Sequence, residues 1–404
     1  MKLSVTDFIV FIVITLSINL EYFRRLPRVG YFMNILPFAI LLIYIALTFV
    51  KYKKISKSLL SVLAYWLFFY FVTLIFNKQS LLDVILITAP CLSICFISEY
   101  YTQKNADVFF EAVYKTLSLL LLVDLLSMFI FPDGLYFNPS YPNWKYWFLG
   151  YKTERVRAVI IPLITIGGAL SVKKQNKLTT EYIFICILSV IDSFLSGATA
   201  GFLVTVFLLI SILIMSYGKN KRAFSIINRL FNVNFLIVVI IVINILIAIF
   251  QRIDLFEYLI VNIMDKELTL TGRTAIWDTS IKKILSSPIL GNGYISSNDY
   301  IILTHNPAGT SPHNLFLAIA VYTGIAGLVL YLTVHYQSLK NIQKSVVSFE
   351  QILGLGIVAN LLLGLTSMNI FSQFNYALII ILGTVASYAR YDKRKGISNA
   401  KKTN

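Results

Sequence analysis

Apolar stretches of about twenty residues, separated by short polar connectors, recur along nearly the whole chain. A helix needs ~20 mainly apolar residues to cross a bilayer. On that measure the pattern predicts about twelve transmembrane helices, near 5–20, 31–50, 58–76, 80–98, 107–131, 156–171, 179–196, 198–217, 234–251, 313–334, 351–368 and 372–389. The sixth and seventh are short and interrupted by Pro162 and Asp192. The expected fold is an all-α integral membrane protein with a single polytopic domain over residues 1–404. The first apolar run contains Asp7 and lacks a small-residue cleavage site, so it reads as a retained helix, not a removed signal peptide.

Composition agrees with the pattern. The chain is 57% hydrophobic and 13% charged, against about 25% charged in a soluble domain. A net charge of +16 could point to nucleic acid, but the basic residues sit in short connectors and form no continuous stripe. They serve topology instead. "KYKKISK" (51–57), "KKQNK" (173–177), "KNKRAFSIINR" (219–229), "KNIQK" (340–344) and the tail from Arg390 alternate as cytoplasmic segments, which puts both termini inside. "RRLPR" (24–28) dissents, falling outside with three arginines.

Two long segments then fall outside, an aromatic-rich extracytoplasmic loop at 132–155 and a larger one at 252–312 that ends at His313. Long loops in compact proteins are usually functional or disordered, and these hold too many aromatics for disorder. Cys91, Cys95 and Cys186 lie in apolar runs, and no histidine or third thiol accompanies the first two, so neither zinc nor a disulfide framework is expected.

Candidate chemistry gathers on the outer loops. In "TGRTAIWDTSIKKILSSPILGNGY" (271–294), Thr271 or Gly272 caps an amphipathic helix opened by Arg273 and ended by "SSP". Ile276, Trp277, Ile281, Ile284 and Leu285 share one side of it. A helix N-terminus favours anions and an arginine there adds a bidentate clamp, although the same arginine would also suit a lipid headgroup. "LGNG", with Gly291 and Gly293, lacks the context of a nucleotide loop and suits a tight turn back to the membrane. Arg155 and Arg157 stand just outside the sixth span, with Glu154 able to neutralise one of them. Asp83, Asp124 and Asp192 fall in the outer halves of spans, where a charge marks function by default. Glu111 and Lys115, one turn apart, are expected to neutralise each other. His313 suits a general base near neutral pH, and Asn314 beside it suits a sugar contact or a helix cap. His305 and Asn306 form a rival pair.

The ordered set "TGRTAIW … SPILGNGY … SPHNLFLAIAVYTGIAGLVLYL", over 272–333, resembles the C-terminal signature of the O-antigen ligase and Wzy-type polysaccharide polymerase superfamily. Two features depart from that pattern. "LSGATAG" (195–201) lacks an arginine, and "RAVIIP" carries Ile161 before Pro162. The resemblance selects His313 over His305, because His313 opens the apolar helix. It implies a bacterial inner-membrane glycosyltransferase, active on the periplasmic or exterior side and without metal or cofactor. A glycan would leave undecaprenyl pyrophosphate for an acceptor hydroxyl. In that reading His313, Arg273 and Arg157 are catalytic, while Arg155, Asn314, Trp277, Asp192, Gly291 and Gly293 bind substrate. Tyr141, Trp144, Tyr146 and Trp147 would stack on sugars or anchor the membrane interface. A repeat-unit polymerase for O-antigen or capsule is the favoured form, with a ligase acting on a lipid or protein acceptor as the alternative. A flippase of the lipid-linked glycan is the reading from another class. Implied partners are the lipid-linked oligosaccharide, the bilayer, a flippase and a chain-length regulator, with no nucleic acid.

Overall fold

The computed structural model describes residues 4–76, 80–138, 144–175, 177–217, 233–246, 273–307, 309–340, 342, 349–368 and 370–385. They form α1 (Val5–Ile18), α2 (Glu21–Arg25), α3 (Val29–Tyr52), α4 (Lys57–Phe76), α5 (Leu81–Ile130) and α6 (Lys152–Arg155). A π-helical turn, Val156–Ile160, joins α6 to α7 (Ile161–Gln175). Then come α8 (Thr180–Leu195), α9 (Thr199–Tyr217), α10 (Val233–Asn244), α11 (Arg273–Ser286), α12 (Ser297–Thr304), α13 (Leu315–Leu339), α14 (Phe349–Gly364) and α15 (Gln373–Val385). Among the described residues six helices are long and apolar enough to cross a membrane, and α1, α10, α14 and α15 contain shorter apolar stretches. Among the described residues there is no strand, only isolated bridges that fold the first loop, Tyr136 with Tyr146 and Trp147 with Gly150. This is an all-α multi-pass membrane protein.

The fifty-residue α5 is two helices in one trace. Asn105 leaves helical geometry at φ −164°. Tyr101 and Phe109 stack across it with centroids 5.5 Å apart, whereas eight residues of straight helix would separate them by about 12 Å. The chain therefore reverses at Asn105, as the two expected spans require.

One end of the bundle is tied by carboxylates. Glu99 accepts hydrogen bonds from the Ser56 backbone at 2.6 Å, from Gln103 at 2.6 Å and from Thr384 at 3.3 Å. At the same end Lys173 pairs with Asp107 and Lys174 with Glu111. Lys115 does not take Glu111 as expected but reaches Asp7 of α1 at 3.0 Å. The described basic segments 51–57 and 173–177 meet here; 219–229 and the tail from Arg390 lie outside the described residues.

The opposite end gathers α2, the first long loop, α11, α12 and the turn that follows α14. Tyr22 of α2 packs on Tyr136 and Phe148 of that loop, both at 5.8 Å, and Arg25 pairs with Glu21 at 3.0 Å. The dissenting "RRLPR" segment thus belongs with the first long loop, and at least one of its charges is locally neutralised.

Helix α13 is broken at Gly324, whose φ is +63°. The chain between α11 and α12 fills the break. Asn292 and Gly293 donate backbone N–H groups to the Val321 and Tyr322 carbonyls, both at 2.9 Å. In return, the Ile325 and Ala326 N–H groups donate to the carbonyls of Pro288 and Ile289. Backbone groups released at membrane depth must be satisfied within the protein, and this exchange does so. Gly291 (φ +79°) and Gly324 lie so close that a Cβ on Gly291 would sit 2.4 Å from the Gly324 nitrogen. Gly291 and Gly293, expected among the substrate-binding residues, carry this structural task.

Candidate active site

Helix α14 ends at Gly364, four residues before the expected span does, and the turn Leu365–Met368 exposes its carbonyls. Three side chains from distant parts of the sequence converge on them. Asn314 Nδ2 donates to Leu365 O at 3.1 Å, Arg273 Nη1 to Thr366 O at 2.9 Å and Arg157 Nη1 to Met368 O at 3.3 Å. Consecutive Cα atoms are 3.8 Å apart, so these contacts fall within about 11 Å of chain. The C-terminal end of a helix carries partial negative charge and suits cations. Each guanidinium has five N–H donors, and Arg273 spends one here. The turn therefore holds two arginines in place and leaves most of the Arg273 fork for another ligand.

Arg157 stands on the π-helical turn before α7, a distortion often found at functional sites. Its Nη2 also lies 3.4 Å from Glu154, as the sequence suggests. The N-terminal caps for α11, Thr271 and Gly272, lie outside the described residues, as do 252–270 of the second loop and Tyr141.

His313 is half-buried and has φ +48°, an uncommon conformation for a residue with a side chain. Both of its flanks are fixed. Trp277 of α11, fully buried, donates its indole N–H to Pro312 O at 3.0 Å. Asn314 caps α13, its Oδ1 accepting from the backbone of Phe316 and Leu317, both at 3.0 Å. Its Nδ2 bonds to Asn244 at 2.6 Å as well as to Leu365. Trp277 and Asn314 were expected to bind substrate; buried and engaged, they position the turn that carries His313. His305 ends α12 as an exposed left-handed cap.

Arg155 and Asp192, also expected to bind substrate, are buried in the bundle. Arg155 is fully buried and donates to Asp124 at 2.8 Å and to Gly150 O at 2.5 Å, with Asp192 at 3.7 Å. Trp147 lies against the guanidinium at 5.2 Å. Asp124 Oδ1 accepts from the Leu149 backbone at 2.7 Å, so the triad anchors the first loop to the bundle. Asp83, by contrast, is exposed in the first turn of α5. Of the loop aromatics, Tyr146 and Trp147 are buried, and Trp144 stacks on Tyr151 at 4.4 Å.

Arg157, Arg273 and His313 remain half-buried, while Trp277 and Asn314, which fix the His313 turn, are enclosed. Burial pushes the Arg273 guanidinium down from its ordinary value, opposed by the nearby Tyr151 hydroxyl, and an arginine stays cationic regardless. Burial pushes Tyr151 up to about 12, Tyr146 adds to this, and Arg273 opposes it. Glu21 is raised by burial and then by Glu154. Among the described residues no three His, Cys, Asp or Glu side chains gather as a metal ion would need. Two cations fixed on one turn suit the holding of an anion, and Asn314 ties the turn that bears His313 to the same run of carbonyls.

Residues 184–332 match the family model described as O-antigen ligase. Over that segment the chain is similar to the O-antigen ligase family. The matched segment runs from α8 into α13 and includes Arg273, Trp277, Gly291, Gly293, His313 and Asn314; Arg157 and the Leu365–Met368 turn lie beyond it. A Rickettsia conorii protein that carries the name of a polysaccharide ligase is 38% identical over 80 residues, 17% of this chain and 20% of the relative. The matched part thus spans a fifth of that relative's length. The element that sequence reasoning missed is the carbonyl turn after α14. Gly364, a residue favoured where helices end, was the available signal.

Proposed function

We propose that this protein is a membrane glycosyltransferase of the O-antigen ligase type, moving a glycan from a polyprenyl pyrophosphate carrier to a hydroxyl of an acceptor. The observation that carries the reading is the convergence of Arg157 and Arg273 on one turn, next to the turn bearing His313. His313 takes the proton of the acceptor hydroxyl as its oxygen attacks the anomeric carbon. The bond from that carbon to the pyrophosphate oxygen breaks, and its electron pair leaves on the pyrophosphate. The two guanidiniums stabilise that charge, the role a metal ion has in other phosphate chemistry. The site lies on the extracytoplasmic side of a bacterial inner membrane, a placement supported by the lysines at the opposite end of the bundle.

On sequence alone a repeat-unit polymerase is favoured, with a ligase as the alternative. Both comparisons carry a ligase description, and the ligase-type transfer is the reading adopted. A flippase would need no imidazole beside a fixed pair of arginines. A deletion strain tests the choice. A ligase-type enzyme leaves finished glycan on its carrier and none on the acceptor. Single repeats still attached to the acceptor would indicate a polymerase, and carrier-linked glycan trapped on the cytoplasmic side a flippase. Ser296→Cys should react with a membrane-impermeant thiol reagent in intact cells, and Lys54→Cys should not; the reverse pattern would invert the orientation.

A further inference from the structure

A second polar space lies away from the arginines, between the end of α11, the turn that fills the α13 break, α12 and the tip of α4. It is an open-sided cavity of about 460 Å³. Lys283, Ser286, Ser287, Asn292, Tyr294 and Asp299 supply its polar lining, and Phe76 and Leu303 supply apolar walls. We infer that this cavity is a saccharide subsite, holding the first sugars of a membrane-anchored acceptor. The inference rests on the transfer reaction proposed above and gives its second substrate a place.

Three observations carry it. The first is the chemistry of the lining. Sugar hydroxyls both donate and accept, and here an ammonium, a carboxylate, an amide and three hydroxyl-bearing side chains line one space beside apolar surface. A simple anion would meet Asp299, and a purely apolar ligand would strip water from the Lys283 ammonium.

The second is rigidity. Asn292 donates from its backbone to Val321 O at 2.9 Å and from its side chain to Lys283 O at 3.0 Å, so the floor is locked to α13 and α11 before any ligand arrives. A preformed site loses little entropy on binding.

The third is position. Leu285, Ile289 and Ile302 around this part of the molecule are 70%, 68% and 69% exposed, an apolar rim fit to face a bilayer boundary. Arg273 and Lys283 stand on one helix, which at 1.5 Å per residue separates them by about 15 Å. A short oligosaccharide spans that gap, with its lipid end at the rim and its far end at the reacting centre.

The test uses the full-length protein in nanodiscs, with Leu303→Trp to fill the cavity and Lys283→Gln to remove its cation. At fixed lipid-linked donor, the KM for the acceptor purified from the same cells should rise about tenfold or more in Leu303→Trp, as several hydrogen bonds are lost. Lys283→Gln should raise it less, and kcat at saturating acceptor and the donor KM should hold in both. A binding arm needs no turnover: water-soluble oligosaccharide, cleaved from that acceptor by mild acid, is titrated calorimetrically. It should bind wild type and Arg273→Ala alike and lose binding in Leu303→Trp. Failure of transfer in wild type with this binding intact would count against the proposed reaction and not against the subsite. Unchanged acceptor KM and unchanged oligosaccharide binding in both variants would overturn the subsite. A change confined to the donor KM would reassign the cavity to the donor. Loss of a co-purified phospholipid on filling, with saccharide binding intact, would make it a headgroup site instead.

Discussion

Arg157 and Arg273 come from different loops yet rest on carbonyls two residues apart, Met368 at 3.3 Å and Thr366 at 2.9 Å. The end of α14 thus fixes the spacing of two cations that the chain order keeps far apart. Repulsion between like charges ordinarily opposes such a pairing. Here the helix terminus and Glu154 offset it.

The guanidinium fork matters more than the charge. Arg273→Lys should lose most transfer activity, on the order of a hundredfold, because a point charge cannot hold the carbonyl and a phosphate oxygen in one plane. The measurement is single-turnover release of carrier pyrophosphate by the inserted protein. Activity within about threefold of wild type would reduce Arg273 to a headgroup contact.

Trp277 acts through Pro312. Trp277→Phe keeps a buried ring but leaves the Pro312 carbonyl unpartnered, a cost of ~1–3 kcal/mol that loosens the His313 turn. Transfer should fall about tenfold at unchanged donor KM, with thermal stability only slightly lowered. An unaltered rate would show that Trp277 only fills space.

Gly291 sits where a side chain has no room. Gly291→Ala places a Cβ 2.4 Å from the Gly324 nitrogen at a φ of +79°, and should cost about 3 kcal/mol or more by prising the turn out of the α13 break. Detergent-solubilised protein should show a clearly lower melting temperature. Wild-type stability would contradict the backbone exchange.

Glu21 offers a pH test. Burial and Glu154 raise its folded pKa, so the folded state binds that proton more tightly than the unfolded chain does. Stability from this group is therefore present at low pH and is lost as pH rises through the folded value. Glu21→Gln should be more stable than wild type at pH 7, with the difference shrinking as pH falls through the carboxylate range. A difference that grows on acidification would show that the Arg25 pair dominates.

Much of this architecture was legible in the sequence because a bilayer enforces run length and polarity. The helix of Arg273, its end near "SSP" and the opening of α13 after His313 follow from local signals. The residues' partners do not. Asn314 reaching Leu365, Lys115 passing over Glu111 for Asp7, and Arg155 sinking between Asp124 and Asp192 are long-range choices made by packing. The same limit explains Gly291 and Gly293: their glycine character was visible, but the broken helix that demands it lies thirty or so residues on.

His313 carries the central claim. The direct measurement is glycan transfer by purified protein in nanodiscs, using carrier-linked glycan and acceptor from the same cells, with free carrier pyrophosphate quantified as product. Wild type should release carrier pyrophosphate and glycosylated acceptor in equal amounts, and the rate should fall as acid protonates the imidazole. His313→Ala should still bind the carrier-linked glycan, while its transfer rate should drop by about a hundredfold or more. Near-normal transfer by His313→Ala, with the same pH profile as wild type, would contradict the account.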